Sequence, residues 1–335
     1  MTSESPWMMA AAAAAVAATT LALLLRFASR LPHGVPGPRS LHARPMPRVG
    51  GLAVWAGALP IALVAPPAVP GAWLVWLLAA GLVAGVSAVD DWRGVDPVAR
   101  LAMHLAAAVA VALAVVRAGP DFTPAGAGLA VAGMAVLLVW ASNLYNFMDG
   151  TDGLAAAMGV CGFGAYGIAA GMAGAPAAVY LALAAATVPF LALNLPPARI
   201  FMGDVGAVPM GFLAGALGLG GWRTGTWPAW FPLLVFLPFI ADATVTLGKR
   251  VWRRERVWEA HKMHYYQRLH QLGAGHHGTL LAFGVLMLGT VASALFTLAT
   301  EPDAGWAVVA AWSVALAAFF SGIDYHWRHR APAHR

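Results

Sequence analysis

Residues 71–94 read GAWLVWLLAAGLVAGVSAVDDWRG, a nearly uninterrupted apolar run that ends in two aspartates and an arginine. About twenty apolar residues in a helix cross the hydrocarbon core of a bilayer, which is about 30 Å thick. The stretch therefore predicts a membrane-spanning helix whose last turn carries Asp90, Asp91 and Arg93 to the membrane surface. Ionisable residues in membrane helices are costly, and they commonly hold a cation or move a proton.

The rest of the chain has the same character as this stretch. It is 60% hydrophobic and only 10% charged, whereas about 25% of residues are charged in soluble proteins. We predict a single all-α integral membrane domain over residues 1–335, a polytopic bundle of about eleven transmembrane helices, with ten as the alternative count. The predicted spans lie at about 7–27, 50–67, 71–90, 98–117, 127–145, 154–172, 176–193, 205–221, 228–248, 279–298 and 304–323.

Basic residues indicate which way the bundle faces, because short cytoplasmic loops are enriched in Lys and Arg. With the N-terminus outside, the alternation of eleven spans places the C-terminus in the cytoplasm. The same alternation puts all but Arg117 and Arg223 of the twenty Lys and Arg residues on the cytoplasmic side. The acidic end of the third span falls on this side too, so we expect the active site at the cytoplasmic face.

Two further strings on the predicted cytoplasmic side carry acids. ARIFMGDVGA places Asp204 between two glycines at the start of the eighth span. NLYNFMDGTDGLAA carries four polar residues at spacings of three, which form one stripe on a helix: Asn143, Asn146, Asp149 and Asp152. Mg²⁺ binds one or two carboxylates and completes its shell with phosphate and water oxygens. Together, the three strings predict a metal-assisted site at the membrane surface.

Each string by itself also fits an ordinary helix end. Asp90 and Asp91 could pair with Arg93, and the four polar residues of the second string could cap two neighbouring spans. Asp204 could cap the eighth helix, because a carboxylate at a helix N-terminus is favoured by the helix dipole.

Two other strings supply basic residues and histidines on the same side. PRSLHARPMPRVGG contains His42, Arg44 and Arg48, which also suit simple anchoring to the inner leaflet. The segment 249–278 is predicted as a cytoplasmic His- and Arg-rich substrate loop that also contacts membrane lipids. Zinc is disfavoured there, because no HExxH pattern or Cys cluster accompanies the histidines. Asp242, an acid within the ninth predicted span, is a further functional candidate.

Five strings in this order, between about Pro38 and His277, resemble the motifs of the polyprenyl-phosphate N-acetylhexosamine-1-phosphate transferases of glycosyltransferase family 4. RSLHARPMPRVGG is similar to RSxHxxPxPRxGG, NLYNFMDGTDGLAA to NxxNFMDGxDGLA, and ARIFMGDVGA to AxxFMGDxGS. VDDWRGVDPVARLAMH resembles the DD…KL…Q segment. HKMHYYQRL resembles the HxxHxYQRL loop of members that start O-antigen or capsule chains. The family shares a superfamily with phospho-MurNAc-pentapeptide translocase.

The resemblance implies a Mg²⁺-dependent enzyme, with Mn²⁺ as a substitute metal, in the bacterial cytoplasmic (inner) membrane. It would transfer an aminosugar-1-phosphate from a UDP-sugar to undecaprenyl phosphate, release UMP, and initiate O-antigen or another cell-envelope polysaccharide. Asp90, Asp91 and Asp204 would be catalytic, with Asp91 and Asp204 as metal ligands. The residues expected to bind substrate are Arg44, Arg48, Arg100, Asn143, Asn146, Asp149, Asp152, His261, His264 and Arg268. No nucleic-acid partner is expected, and the sequence leaves a homodimer open.

Three positions depart from the family pattern. Arg100 stands where many relatives have Lys, His104 where many have Gln, and Ala207 where Ser is usual. All of the acids are retained, so the resemblance implies an active enzyme.

Two alternatives remain at this point. The first is the peptidoglycan translocase itself, which the HxxHxYQRL loop disfavours. The second is an ion-coupled transporter. Transporters keep their ionisable groups near the bilayer midplane at repeat interfaces, whereas here the acids lie at the predicted helix ends.

Overall fold

The computed structural model describes residues 5–34, 41, 45–119, 123–256 and 261–330, so the predicted substrate residue Arg44 lies outside the described residues. These residues form a bundle of α-helices with one pair of two-residue antiparallel strands, β1 His33–Gly34 and β2 Met46–Pro47. The helices are α1 Pro6–Arg26, α2 Gly50–Val64, α3 Trp73–Arg93, α4 Pro97–Arg117, α5 Pro124–Met148, α6 Leu154–Met172, α7 Ala178–Asn194, α8 Asp204–Arg223, α9 Trp230–Val235, α10 Leu237–Trp252, α11 Tyr265–Leu269, α12 Gly275–Thr300 and α13 Gly305–Arg330.

The predicted all-α polytopic membrane architecture is confirmed. Eight helical stretches of the described chain are long and apolar enough to cross a membrane, and α2 and α7 are shorter apolar helices. Ten of the eleven predicted spans each fall on one helix. The ninth is not one continuous helix, because the chain leaves helical geometry at Phe236 between α9 and α10. Pro238 contributes to this break, since proline lacks the N–H that an uninterrupted helix would require.

Helix α8 lies at the centre of the bundle. Sixteen of its twenty residues are buried, and it packs against α2, α3, α5 and α6. Small residues permit this close approach: a Cβ at Gly211 would lie 2.3 Å from the carbonyl oxygen of Ala141 on α5. Tight packing through glycine and alanine is the usual way in which membrane helices associate. The N-terminus of α8 is thereby fixed among the ends of its neighbours.

The segment 249–278, predicted as a loop, contains regular structure in its described part. Helix α10 continues to Trp252, and α11 begins at Tyr265. A π-helical turn over His270–Ala274 then leads into α12. The short helix α11 packs against α10, α12 and α13, so the HKMHYYQRL string is held within the bundle end.

Candidate active site

The carboxylate of Asp91 caps the central helix from a neighbouring one. Its Oδ1 accepts the backbone N–H of Asp204 at 3.2 Å and its Oδ2 accepts the N–H of Val205 at 2.9 Å. These are among the first amides of α8, which have no partners within their own helix. The Asp91 side chain is only 1% exposed. Asp91 therefore joins the end of α3 to the start of α8.

Backbone contacts bring the PRVGG and IFMGD strings together and so place Arg48. The N–H of Phe201 donates to Pro47 O at 2.8 Å, and the N–H of Gly50 donates back to Phe201 O at 2.9 Å. Gly203 has a φ of +75°, and a Cβ there would lie 2.4 Å from the carbonyl oxygen of Arg48. Glycine is needed at this position both for its conformation and for the approach of the Arg48 backbone.

A tight turn sets Asp90 opposite Arg100. Gly94 ends α3 with a φ of +72°, and the carboxylate of Asp96 caps α4 by accepting the N–H groups of Val98 and Ala99 at 3.0 and 3.1 Å. Asp90 accepts the N–H of Val95 at 2.7 Å and forms an ion pair with Arg100. In the sequence, Asp96 followed by Pro97 indicates the start of α4, because Asp is favoured at the N-cap and Pro at the first helical position.

Asp204 is the centre of the charged cluster. Arg48 contacts both Asp91 and Asp204, and its nitrogen lies 3.3 Å from Asp204 Oδ1. Arg100 contacts Asp90 and lies 3.5 Å from Asp204 Oδ2. The Asp204 side chain is 22% exposed, which makes it the most accessible of the three acids. The three acids predicted to be catalytic are thus brought together and bridged by two arginines.

The end of α5 adds an amide and a fourth acid. Asn146 Nδ2 donates to Asp204 Oδ1 at 3.2 Å. Asp149 follows directly after α5 and is half-buried. Desolvation, together with the negative charge of Asp204, raises the pKa of Asp149 well above its usual value. A cation among these acids would relieve that repulsion. Asn143 instead donates to Val139 O at 2.7 Å, within its own helix.

Asp152 makes contacts of a different kind. It is buried, and its Oδ2 accepts the N–H of Ala198 at 2.9 Å. Its Oδ1 lies 3.7 Å from His276 Nδ1, and the same nitrogen lies 2.7 Å from Thr151 Oγ1. Asp152 therefore joins the start of α6 to the α7–α8 connection and to α12. Its predicted contact with substrate stays a prediction.

The predicted loop residues lie in a second network next to the end of α5. The ring of His264 stacks on Phe147 with centroids 5.8 Å apart, and it lies 4.9 Å from the ring of His261. Arg268 is buried, pairs with Asp324 of α13, and lies over the ring of Tyr265 at 4.1 Å. These side chains hold α11 against the bundle, and their predicted role in substrate binding is likewise untested.

The residues present suit a hard cation that shares its shell with substrate. Within the described part of the chain, no three His, Cys, Asp or Glu side chains are grouped so as to hold a metal alone. Mg²⁺ commonly takes only one or two carboxylates and fills its remaining positions with phosphate and water oxygens. Asp204, with Asp91 on the other side of Arg48, matches such a donor set. Asp91 has less free capacity, because both of its oxygens accept amides of α8.

One residue beside the cluster was not among the predicted site residues. His104 follows Arg100 by one helical turn, is 3% exposed, and interacts electrostatically with Asp204 and Asp90. Among the described residues, its Nε2 has no hydrogen-bond partner. The i, i+4 spacing from Arg100 in ARLAMH is the signal that could have identified it.

The fold and the site together define a class of protein. It is a polytopic membrane protein in which the ends of α3, α4, α5 and α8 gather carboxylates, guanidinium groups and an amide in one cluster. Such a set suits the binding of phosphate groups, because arginine and carboxylate-held cations both neutralise phosphate charge.

Comparison with known proteins agrees with this class. The family model for glycosyl transferase family 4 matches residues 73–221. The chain is 29% identical to the decaprenyl-phosphate N-acetylglucosaminephosphotransferase of Mycolicibacterium smegmatis, over 78% of this chain and 75% of that protein. It is 25% identical to a probable undecaprenyl-phosphate N-acetylglucosaminyl 1-phosphate transferase of Bacillus subtilis, over 77% of this chain and 74% of that protein. It is 30% identical to the phospho-N-acetylmuramoyl-pentapeptide-transferase of Synechocystis, over 64% of this chain and 62% of that protein.

The match to family 4 and the named relatives support the family of polyprenyl-phosphate N-acetylhexosamine-1-phosphate transferases for this chain. The family match spans α3 to α8 and so contains Asp90, Asp91, Arg100, Asn146 and Asp204.

Proposed function

We propose that the protein transfers an N-acetylhexosamine-1-phosphate from a UDP-sugar to a polyprenyl phosphate and releases UMP. The observation that carries this proposal is the cluster in which Arg48 and Arg100 both contact Asp204. Two relatives, each aligned over about three quarters of its length, are named as transferases of this kind. Undecaprenyl phosphate is the acceptor that we propose, in the inner membrane of a bacterium.

The arginines address the main electrostatic difficulty of the reaction. Two anionic substrates must meet beside several carboxylates, and phosphoryl transfer depends mostly on positioning and charge neutralisation. The side chains of Arg48 and Arg100 are 33% and 34% exposed. Their guanidinium groups can therefore contact phosphate oxygens while they remain anchored on the acids, and the planar fork suits phosphate geometry.

A Mg²⁺ ion, or Mn²⁺ in its place, would be held by Asp204 and Asp91. When bound, the ion would neutralise the pyrophosphate and make UMP a better leaving group. Asp204 is the ligand that we expect to matter most, because it is the more exposed of the two. Asn146 orients it through the hydrogen bond to Oδ1.

The proposed reaction is a single displacement at phosphorus. An oxygen of the lipid phosphate attacks the β-phosphorus of the UDP-sugar, and the bond from that phosphorus to the bridging oxygen breaks as UMP leaves. A phosphate oxygen is already a competent nucleophile, so we favour direct attack over a covalent aspartyl intermediate. Asp90 then acts by positioning Arg100, with which it is paired. Asn146 and Asp149 would line the part of the site that binds the UDP-sugar.

The HKMHYYQRL string resembles members that start O-antigen or capsule chains. We therefore propose that the lipid-linked product initiates O-antigen or another cell-envelope polysaccharide. Among donors, UDP-N-acetylglucosamine is the first to test, because two relatives are named for this sugar.

The test uses the purified full chain in detergent with undecaprenyl phosphate, MgCl₂ and a panel of UDP-sugars. We expect UMP release and a lipid-diphosphate-sugar product with at least one UDP-N-acetylhexosamine, and loss of both on chelation by EDTA. The panel includes UDP-MurNAc-pentapeptide, because one relative is named for that substrate. Turnover of that donor alone would favour the translocase. Absence of UMP with every donor, from folded protein, would overturn the proposal.

A further inference from the structure

The side chain of Asp242 is fully buried in α10, outside the charged cluster described above. A buried carboxylate is stable only where donors compensate for lost hydration. Here the compensation comes from HKMHYYQRL: Oδ1 accepts the N–H of Tyr265 and Oδ2 accepts the N–H of Tyr266, both at 2.9 Å. Thr246 adds its hydroxyl at 3.2 Å.

Asp242 and Gln267 cap α11 at its first turn. Asp242 takes the amides of Tyr265 and Tyr266, and Gln267 Oε1 accepts the N–H of His264 at 3.2 Å. The Nδ1 atom of His264 also lies 3.2 Å from Asp242 Oδ1. A five-residue helix has little stability of its own. Asp242 therefore contributes to holding α11 in place, and α10, which carries this carboxylate, packs against α5, α12 and α13.

From α11 the contacts lead directly to the candidate active site. The hydroxyl of Tyr266 donates to Phe147 O at 2.9 Å, and the ring of His264 stacks on Phe147. Phe147 lies between Asn146, which contacts Asp204, and the acid Asp149 two residues later. Asp242 is thus linked to the end of α5 through two backbone hydrogen bonds and one tyrosine.

We propose that Asp242 is a positioning residue: its carboxylate holds the HKMHYYQRL segment against the end of α5 and so sets the donor-sugar side of the site. This inference rests on the proposed function for its kinetic consequence. Its structural content, that α11 is docked by Asp242, stands apart from it. An amide at position 242 would turn an N–H₂ group toward one of the two tyrosine N–H donors and lose that bond.

The first measurement is hydrogen–deuterium exchange on the full chain in detergent. In the wild type, the amides of Tyr265 and Tyr266 should exchange at least about tenfold more slowly than that of Lys262. In Asp242→Asn this protection should fall by about tenfold or more, as expected for loss of a charge-assisted bond. Equal exchange along 262–266 in the wild type, or unchanged protection in the variant, would overturn the proposal.

The second measurement separates positioning from general stability. Asp242→Asn should raise KM for the UDP-sugar about tenfold or more and leave KM for undecaprenyl phosphate within about twofold. Thr290→Val is the matched control, because Thr290 is fully buried and bonds only within α12. Equal rises in both KM values, or equal effects in the control, would contradict the proposal.

If Asp242→Asn does not fold, Tyr266→Phe tests the same docking from the other side, with an expected rise of about threefold in donor KM. No change in that KM would count against the proposal. If the wild type turns over no donor, the proposed function fails, and the exchange measurement still decides whether Asp242 docks α11.

Discussion

Asp204 combines two properties that the other acids of the cluster do not share. It contacts both bridging arginines, and its side chain is the most exposed of the three acids. Asp91 is almost fully buried and holds the amides of α8. The two proposed metal ligands therefore differ in exposure and in their contacts. Asp204 is the better candidate to face substrate, and Asp91 fixes where Asp204 stands.

This difference predicts the effect of Asp204→Asn. The amide keeps the size and the contact with Asn146 but removes the charge that would attract a cation. We expect kcat to fall about a hundredfold or more, because a bound metal ion contributes several kcal/mol of charge stabilisation. UMP release at a series of MgCl₂ concentrations measures the loss.

Asp303→Asn is the control, because Asp303 is an exposed acid in the short turn before α13. Its turnover and Mg²⁺ dependence should equal those of the wild type. If Asp204→Asn kept the wild-type rate and Mg²⁺ dependence, Asp204 could not be a metal ligand.

Gly203 allows the chain after β2 to pack against the start of α8. At the junction of β2 and α8, this glycine has a φ of +75°, and a Cβ would clash with the backbone of Arg48 at 2.4 Å. Gly203→Ala should therefore lower the thermal unfolding temperature in detergent and reduce turnover at least about tenfold, since backbone strain of this kind costs about 1–3 kcal/mol and displaces Arg48.

Gly225→Ala is the matched control for strain without a clash. Gly225 has a φ of +73°, and nothing lies within 4 Å of a Cβ built there. It should lose about 1–2 kcal/mol of stability and keep its turnover. Equal activity losses in both variants would show that the approach of Arg48 is not the sensitive feature.

Gly150 tests the contact between α5 and α11. A Cβ at Gly150 would lie 2.1 Å from the hydroxyl oxygen of Tyr266. Gly150→Ala should displace α11 and raise donor KM about tenfold, and the added mutation Tyr266→Phe should recover part of that loss by removing the oxygen. Steady-state kinetics of the two single variants and the double variant form a mutant cycle. Purely additive losses would show that the clash is not the cause.

The elements also show where sequence reasoning ends. The membrane helices and the acidic ends follow from hydropathy and composition, because a bilayer requires long apolar helices. The capping of α8 by Asp91 and of α11 by Asp242 joins residues 113 and 23 positions apart. No local pattern encodes such pairs. The predicted ninth span runs through Phe236 without a break. Pro238 is compatible with the start of a separate helix, and the apolar run around it hides this signal.

For the whole molecule, the site is a property of the bundle rather than of one segment. The ends of α3, α4, α5 and α8 all contribute side chains, and α8 itself is buried between its neighbours. The prediction that these ends face one side of the membrane agrees with their meeting in one cluster. Asp152 and Arg268, two of the predicted substrate residues, are each engaged in contacts within the protein.

The orientation of the bundle can be tested with single cysteines. The bias of basic residues predicts that Arg253 lies in the cytoplasm and Asp303 on the opposite side, and both side chains are exposed. In a Cys161→Ser background, which removes the single native cysteine, Asp303→Cys should react with a membrane-impermeant maleimide on intact spheroplasts. Arg253→Cys should react only in inverted vesicles. Labelling of both cysteines from the same side would contradict the predicted topology, and with it the prediction that the active site lies at the cytoplasmic face.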